Sequence, residues 1–183
     1  MFEIIKTCFE KKKIVSVYTR SDRPEMHYVG YISKYNESEL LLSHISRNGL
    51  YDGFILLRTE MIYRLEFDGP YEKKMETLYR MKAQRHDELI FDDDEILYPL
   101  MEYCIWKNLV VTMEYDDAFI VSGIPERQNE QFIYLRLVSD YGEDNGLSVV
   151  TKDEILKFLC DTDNEQDLRL LNTMRNSPAR REQ

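Results

Sequence analysis

Shifting residues 30–79 forward by 93 positions lays them over residues 123–172 without a gap. Gly30 then falls on Gly123, Ser46 on Ser139, Gly49 on Gly142 and Gly53 on Gly146. Further along, Ile62 falls on Ile155, Asp68 on Asp161, Glu72 on Glu165 and Leu78 on Leu171. Glycines hold their places where the backbone needs a positive φ or a close approach, so three aligned glycines constrain a fold more than their number suggests. Upstream, a shift of 96 places Cys8 on Cys104, Lys11 on Lys107 and Val15 on Val111, so two copies would differ by a short insertion. A repeat of this period limits the chain to two similar units of roughly 80 residues, each close to the smallest size that buries a sufficient core.

Periodicity sets the elements inside each unit. Phe2, Ile5 and Phe9, with Ile4 and Cys8 beside them, have the three-and-four spacing of an amphipathic helix over residues 2–13. Lys11, Lys12 and Lys13 fit its last turn, where cations complement the helix dipole. Residues 14–20, 26–35, 39–46, 53–58 and 61–67 read as five short strands, with Gly30 marking a bend in the second. Pro70 suits the first position of a helix that continues to about Asp87. The same order recurs: a helix opening at Pro99, strands near 109–115, 118–127, 131–139, 146–151 and 154–160, and a helix over 165–175. Pro125 inside the second of these strands implies a sheet edge or a bulge. The expected boundaries are a first helix-plus-strands unit over 1–88, an acidic linker over 89–97, a second unit over 98–176 and a mobile tail over 177–183. The acidic run Asp92 to Glu95 suits the approach to a helix N-terminus. Tyr51 with Asp52, and Asp144 with Asn145, read as exposed loop positions.

A helix followed by five short strands, the second bent at a glycine, resembles the Sm-like family of small barrels found in RNA-associated rings. The resemblance covers about residues 2–67 and 98–160 as a pattern of elements. It implies a mainly β fold with flanking helices (α+β): two tandem five-stranded Sm-like or SH3-like barrels, each preceded by a helix. Its most specific part is GFILLR followed by MIYRLEF. In that family the equivalent strand ends in Arg-Gly, and the arginine helps to bind an RNA base. Arg58 matches that arginine, but Thr59 stands in place of the glycine, and the second copy has Thr151-Lys152 there. The family's Asp and Asn are echoed by Tyr35-Asn36 and by Gln128-Asn129. The resemblance therefore implies Tyr35, Asn36 and Arg58 as RNA-binding candidates. It also implies association through the edges of the fourth and fifth strands, within the chain or as a homodimer.

Charge weighs against the RNA reading. The net charge is −10 and unevenly divided: residues 1–80 sum to +1 and residues 81–183 to −11. Phosphate binding draws its free energy from clustered basic contacts, and the second half lacks the balance for them. No apolar run is long enough for a membrane helix, and the first residues have no signal-peptide pattern. Cys8, Cys104 and Cys160 are widely spaced and odd in number, which suits free thiols packed as small hydrophobes in a reducing cytoplasm. His27, His44 and His86 have no metal-ligand spacing, and His44 fits a packed strand position. No phosphate-binding loop, nucleophile elbow or zinc-protease motif is present. The expectation is a cytoplasmic, non-catalytic module without metal, cofactor or small-molecule substrate. It binds protein partners or itself through sheet edges and loops, and the alternative is RNA binding by the first copy.

Overall fold

The structure, a computed structural model, describes residues 1–91, 94–115 and 119–176. Asp92 and Asp93 of the acidic run, residue 118 at the expected start of a strand, and the tail 177–183 lie outside the described residues. The chain divides into two units, Met1–Ile96 and Leu97–Gln183. Each is an antiparallel sheet with flanking helices, an α+β architecture.

The first unit runs through α1 (Phe2–Glu10), β1 (Ile14–Tyr18), β2 (Tyr28–Tyr35), β3 (Glu39–Ile45) and β4 (Tyr51–Arg58). A single 3-10 turn (Thr59–Met61), β5 (Arg64–Phe67) and α2 (Pro70–Met81) complete it. Its strands are ordered β5-β1-β2-β3-β4. The expected closure into a barrel is not what the ladders show. No ladder joins β4 to β5 within the unit, and the four residues of β5 are all in register with β1. The lysine run also differs from expectation. Helix α1 ends at Glu10, Lys12 takes a φ of 48°, and Lys13 leaves the helix to pair with Asp68. Helix α2 begins at Pro70 as expected but stops at Met81, because Ala83 turns to a φ of 51°. Residues 84–91 therefore leave the helix as a strap without regular secondary structure.

The second unit repeats the course with α3 (Leu97–Lys107), β6 (Val111–Glu114), β7 (Ile120–Gln128), β8 (Phe132–Val138), β9 (Asp144–Thr151), β10 (Lys157–Cys160) and α4 (Asp163–Asn176). Its order is β10-β6-β7-β8-β9, again open. Helix α3 starts at Leu97, two residues before Pro99. Proline lacks only an N–H that the first turn leaves unbonded in any case, so it is tolerated there.

Residues aligned by the 93-position shift occupy the same places in their units. The first unit's β2–β3 ladder slips between Ile32 and Lys34 and its β3–β4 ladder between Ser43 and Ile45. The second unit slips between Pro125 and Arg127 and between Arg136 and Val138. Pro125 thus sits at a bulge, in a strand with neighbours on both sides. Ile14, Ile45 and Met75 pack in the core of the first unit, and Val110, Val138 and Leu168 take their places in the second. The shift also pairs Asn36 with Asn129. Each side-chain oxygen accepts two backbone N–H bonds at the following turn, from Ser38 and Glu39 or from Gln131 and Phe132.

Two glycine pairs have a direct steric cause. A Cβ on Gly123 would lie 2.7 Å from the carbonyl oxygen of Arg136, and one on Gly30 would press closer still on that of Ser43. Gly49 and Gly142 have φ of 69° and 74°, and a Cβ on either would strike Leu78 or Leu171. Gly49 and Gly142 thus face Leu78 and Leu171, residues that the same shift aligns.

A buried carboxylate fastens each last helix to its first strand. Glu72, 5% exposed, accepts a hydrogen bond from the Ser16 hydroxyl. Glu165, 2% exposed, accepts one from Thr112 Oγ1 at 2.7 Å and another from the Thr162 hydroxyl. Asp68 and Asp161, at φ 62° and 56°, turn each chain from the sheet into that helix.

The close approach at Gly30 is backbone against backbone, so the neighbour has no rotamer by which to yield. Gly30→Val is expected to destabilise the chain by about 1–3 kcal/mol. A urea titration monitored on the first unit's amides measures this, and an unchanged midpoint would show that the approach tolerates a side chain.

Candidate functional site

Tyr35, Asn36 and Arg58 do come together, at the end of the first sheet where β2 turns into β3. Glu39 is the reason: it pairs in register with Arg58, and the backbone N–H of Asn36 bonds its carbonyl. Their recognition groups face structural partners, however. The ring of Tyr35 stands edge-on to Phe2 at 5.4 Å and to Phe9 at 5.3 Å, holding α1 on β2. Asn36 Oδ1 caps the turn, and Nδ2 donates to the Asp94 carbonyl at 2.7 Å. Arg58 Nη1 lies 3.8 Å from Glu39 Oε1. Burial raises the pKa of Glu39, while Arg58 and the Asn36 amide pull it back down. In the second unit Gln128 and Lys152 take the neighbouring places. Gln128 Nε2 donates to the Tyr98 carbonyl at 2.9 Å and to Glu102 at 2.7 Å, and Lys152 Nζ lies 4.5 Å from the Tyr98 ring centre.

A second constellation surrounds the β3–β4 bulge of the first unit. Residues 51 and 52 are strand here: β4 begins at Tyr51, and Asp52 is 7% exposed. Asp52 Oδ2 lies 3.1 Å from His44 Nδ1, and the His44 ring meets that of Tyr28 edge-on. His86, on the strap after α2, closes over this point. Its Nε2–H donates to the carbonyls of His44 at 2.8 Å and Gly53 at 2.9 Å, so the hydroxyl of Tyr79 donates to Nδ1 at 2.7 Å. Phe54 and Tyr51 lie against its ring, and Gln84 Oε1 accepts the Tyr51 N–H. The helical spacing that runs on to Asp87 in the sequence hides the strap that carries His86. The break at Ala83 that releases the strap has no glycine or proline to signal it.

At the corresponding point of the second unit the surface is open. A groove of about 650 Å³ is lined by Phe119, Ile120, Val121, Leu137, Asn145 and Ser148, among others. β9 ends the strand order beside it, and Leu147 and Val149 are 76% and 55% exposed. Their counterparts in β4, Phe54 and Leu56, are buried.

Cys8, Cys104 and Cys160 are free and buried. Burial pushes the Cys8 thiol pKa up, and burial together with the neighbouring Cys104 does the same for Cys160, so both favour the inert thiol. Among the described residues no three His, Cys, Asp or Glu side chains converge as metal ligands. No helix among them is long and apolar enough to cross a membrane. Comparison with protein-family models, with curated proteins and with solved structures returns no match.

Burial lowers the His86 pKa from 6.5 to about 4, against the two carbonyl bonds, which favour the charged form. Protonation would also oblige Nδ1 to give up the bond from Tyr79. The unfolded chain then takes up a proton that the folded chain refuses. This group's contribution is complete above pH 6.5 and falls as the pH drops from 6.5 to about 4, by about 1.4 kcal/mol per unit. His86→Gln should flatten the stability profile of the first unit across that window by about one proton. An unaltered slope between pH 6.5 and 4.5, read from denaturant titrations, would contradict the assignment.

Proposed function

We propose that the chain is a non-catalytic interaction module made of a duplicated Sm-like unit. It associates through its open sheet edges, with a second copy of itself as the simplest partner. The observation that carries this reading is the outer edge of β9. It ends the strand order, and it displays Leu147 and Val149 where the equivalent strand of the first unit is buried. An exposed apolar edge strand is a template for strand addition. β5 ends the order of the first unit and suits this role in a second copy. It lies in the half of the chain that sums to +1, whereas β9 lies in the half that sums to −11. Opposed edges of unequal charge set register and discourage pairing between like edges.

The helix, the five antiparallel strands and the close approach at Gly30 support the Sm-like reading of each unit. The nucleic-acid reading gains nothing from the first unit's candidates. Tyr35 packs on α1, Asn36 caps a turn and Arg58 lies against Glu39.

Sedimentation across a range of concentrations tests the proposal. The chain should shift from monomer to dimer or larger. Val149→Lys, which puts a charge on the outer strand without touching the core, should weaken association by about tenfold or more. A chain that remains monomeric at every concentration, or a Val149→Lys variant that associates normally, would overturn it.

A further inference from the structure

Two asparagines of the chain are followed by glycine, at Asn48-Gly49 and Asn145-Gly146. Such a pair closes on itself readily, because a glycine has no side chain to block the approach of its amide nitrogen to the asparagine amide. The fold treats the two pairs differently. At the first, the Gly49 N–H donates to the Ser46 carbonyl at 2.8 Å and the Lys82 ammonium donates to the Asn48 carbonyl. Gly49 is also buried, against Leu78 of α2. Ring closure there would break both bonds and swing the peptide plane against a helix. The second pair is open. Asn145 and Gly146 are both exposed, and nothing lies within 4 Å of the point where a Cβ on Gly146 would stand. The β8–β9 register passes from the pair Arg136 and Leu147 to the pair Val138 and Asp144. Asn145 and Gly146 therefore sit outside the register pairs, in the bulge of a strand that ends the strand order.

The residue aligned with Asn145 in the first unit is Asp52, whose carboxylate lies 3.1 Å from His44 Nδ1. In the second unit Leu137 takes the place of that histidine, so a carboxylate at position 145 would meet no imidazole. Its surroundings are already acidic. Asp144 precedes it, Asp140 lines the same groove, and Arg136 is shared between Glu126 and Asp144.

We propose that Asn145-Gly146 is a site of spontaneous deamidation, where water converts the asparagine to aspartate or isoaspartate, and that the fold protects Asn48-Gly49 from the same reaction. The Gly146 amide nitrogen gives its proton to solvent base and attacks the carbonyl carbon of the Asn145 side chain. The new C–N bond closes a succinimide ring, and the side-chain nitrogen takes a proton from solvent and leaves as ammonia. Water then breaks one of the two C–N bonds of the ring. Breaking the new bond gives aspartate. Breaking the original peptide bond gives isoaspartate, in which the main chain runs through the side-chain carbon. The net change is amide and water to carboxylate and ammonium. Either product puts a negative charge at the start of β9, and isoaspartate also lengthens the main chain there by a methylene. The consequence for association rests on the reading of β9 as the associating edge: an added charge on an edge strand opposes strand addition.

The test is to age the full chain in mildly alkaline buffer, digest it, and follow the peptides spanning 48–49 and 145–146 by mass spectrometry. The mass gain that replaces NH2 by OH should appear at 145–146 at least about tenfold faster than at 48–49. In denaturant the two pairs share the same local chemistry and should convert at similar rates, so the difference seen in the folded chain belongs to the fold. Equal rates in the folded chain, faster conversion at 48–49, or no conversion at 145–146 over a time in which the denatured chain converts would each overturn the proposal. The consequence is read separately, by sedimentation of the Asn145→Asp chain, which carries the same charge without ageing and should associate more weakly than the parent. Conversion at 145–146 with unchanged association of Asn145→Asp upholds the site and overturns its consequence for the edge. A parent chain that stays monomeric overturns the reading of the edge and not the site.

Discussion

Each unit turns on a carboxylate taken out of water and held by a hydroxyl of its first strand. A carboxyl group is costly to bury without hydrogen-bond partners, and hydroxyls point at Glu72 and Glu165. Their position lowers the cost further. Both lie in the first turn of their helix, where unbonded N–H groups leave a partial positive charge. In the second unit Thr162 and Glu165 have the spacing of a capping box, with the threonine just outside the helix. In the first, Gly69 takes the threonine's place, and a Cβ there would lie 2.5 Å from Glu72 Oε2. Helix position, the left-handed turn at Asp68 or Asp161 and the choice of a hydroxyl-bearing residue in β1 or β6 all follow from seating this one group.

The parts of the fold that the sequence announced are those with a local or steric cause. Glycines at close approaches, a proline at a helix start and a proline at a bulge each act over a few residues, and each was found at its place. Strand order was harder. The alternation in β5 and β10 says that they are strands but not that four residues are too few to close a barrel. The candidate residues Tyr35, Asn36 and Arg58 lie at one end of the first sheet. What could not be read was how fully their groups are engaged, because Phe2, Phe9, Glu39 and Asp94 reach them from other elements. The His86 constellation was invisible for a related reason. Its partners are backbone carbonyls, and a sequence does not show which carbonyls a bulge leaves outside the ladder.

The contrast between the two units is as informative as their likeness. The two units supply a ready control: the same order of strands with and without a given set of side chains. Around the bulge the first unit is self-sufficient, with aromatic rings, a carboxylate–imidazole pair and a strap all drawn from its own residues. The second keeps the backbone and gives up the filling. Phe119, Ile120, Leu147 and Val149 are among its exposed large side chains.

The tether also sets an order of events during synthesis. Ser16 and Glu72 are 56 residues apart, and Thr112 and Glu165 are 53 apart, so the contact that locks a unit joins nearly its first strand to its last helix. A nascent chain that has exposed all five strands of the first unit still has no carboxylate for Ser16 and no histidine for the carbonyls of the bulge. Non-local closure of this kind is slow, and until it happens the sheet keeps its edges bare. The ribosome must therefore deliver α2 and the strap before the first unit can be safe from its neighbours, and a pause in translation between Asp68 and His86 would fall at the worst moment for this chain.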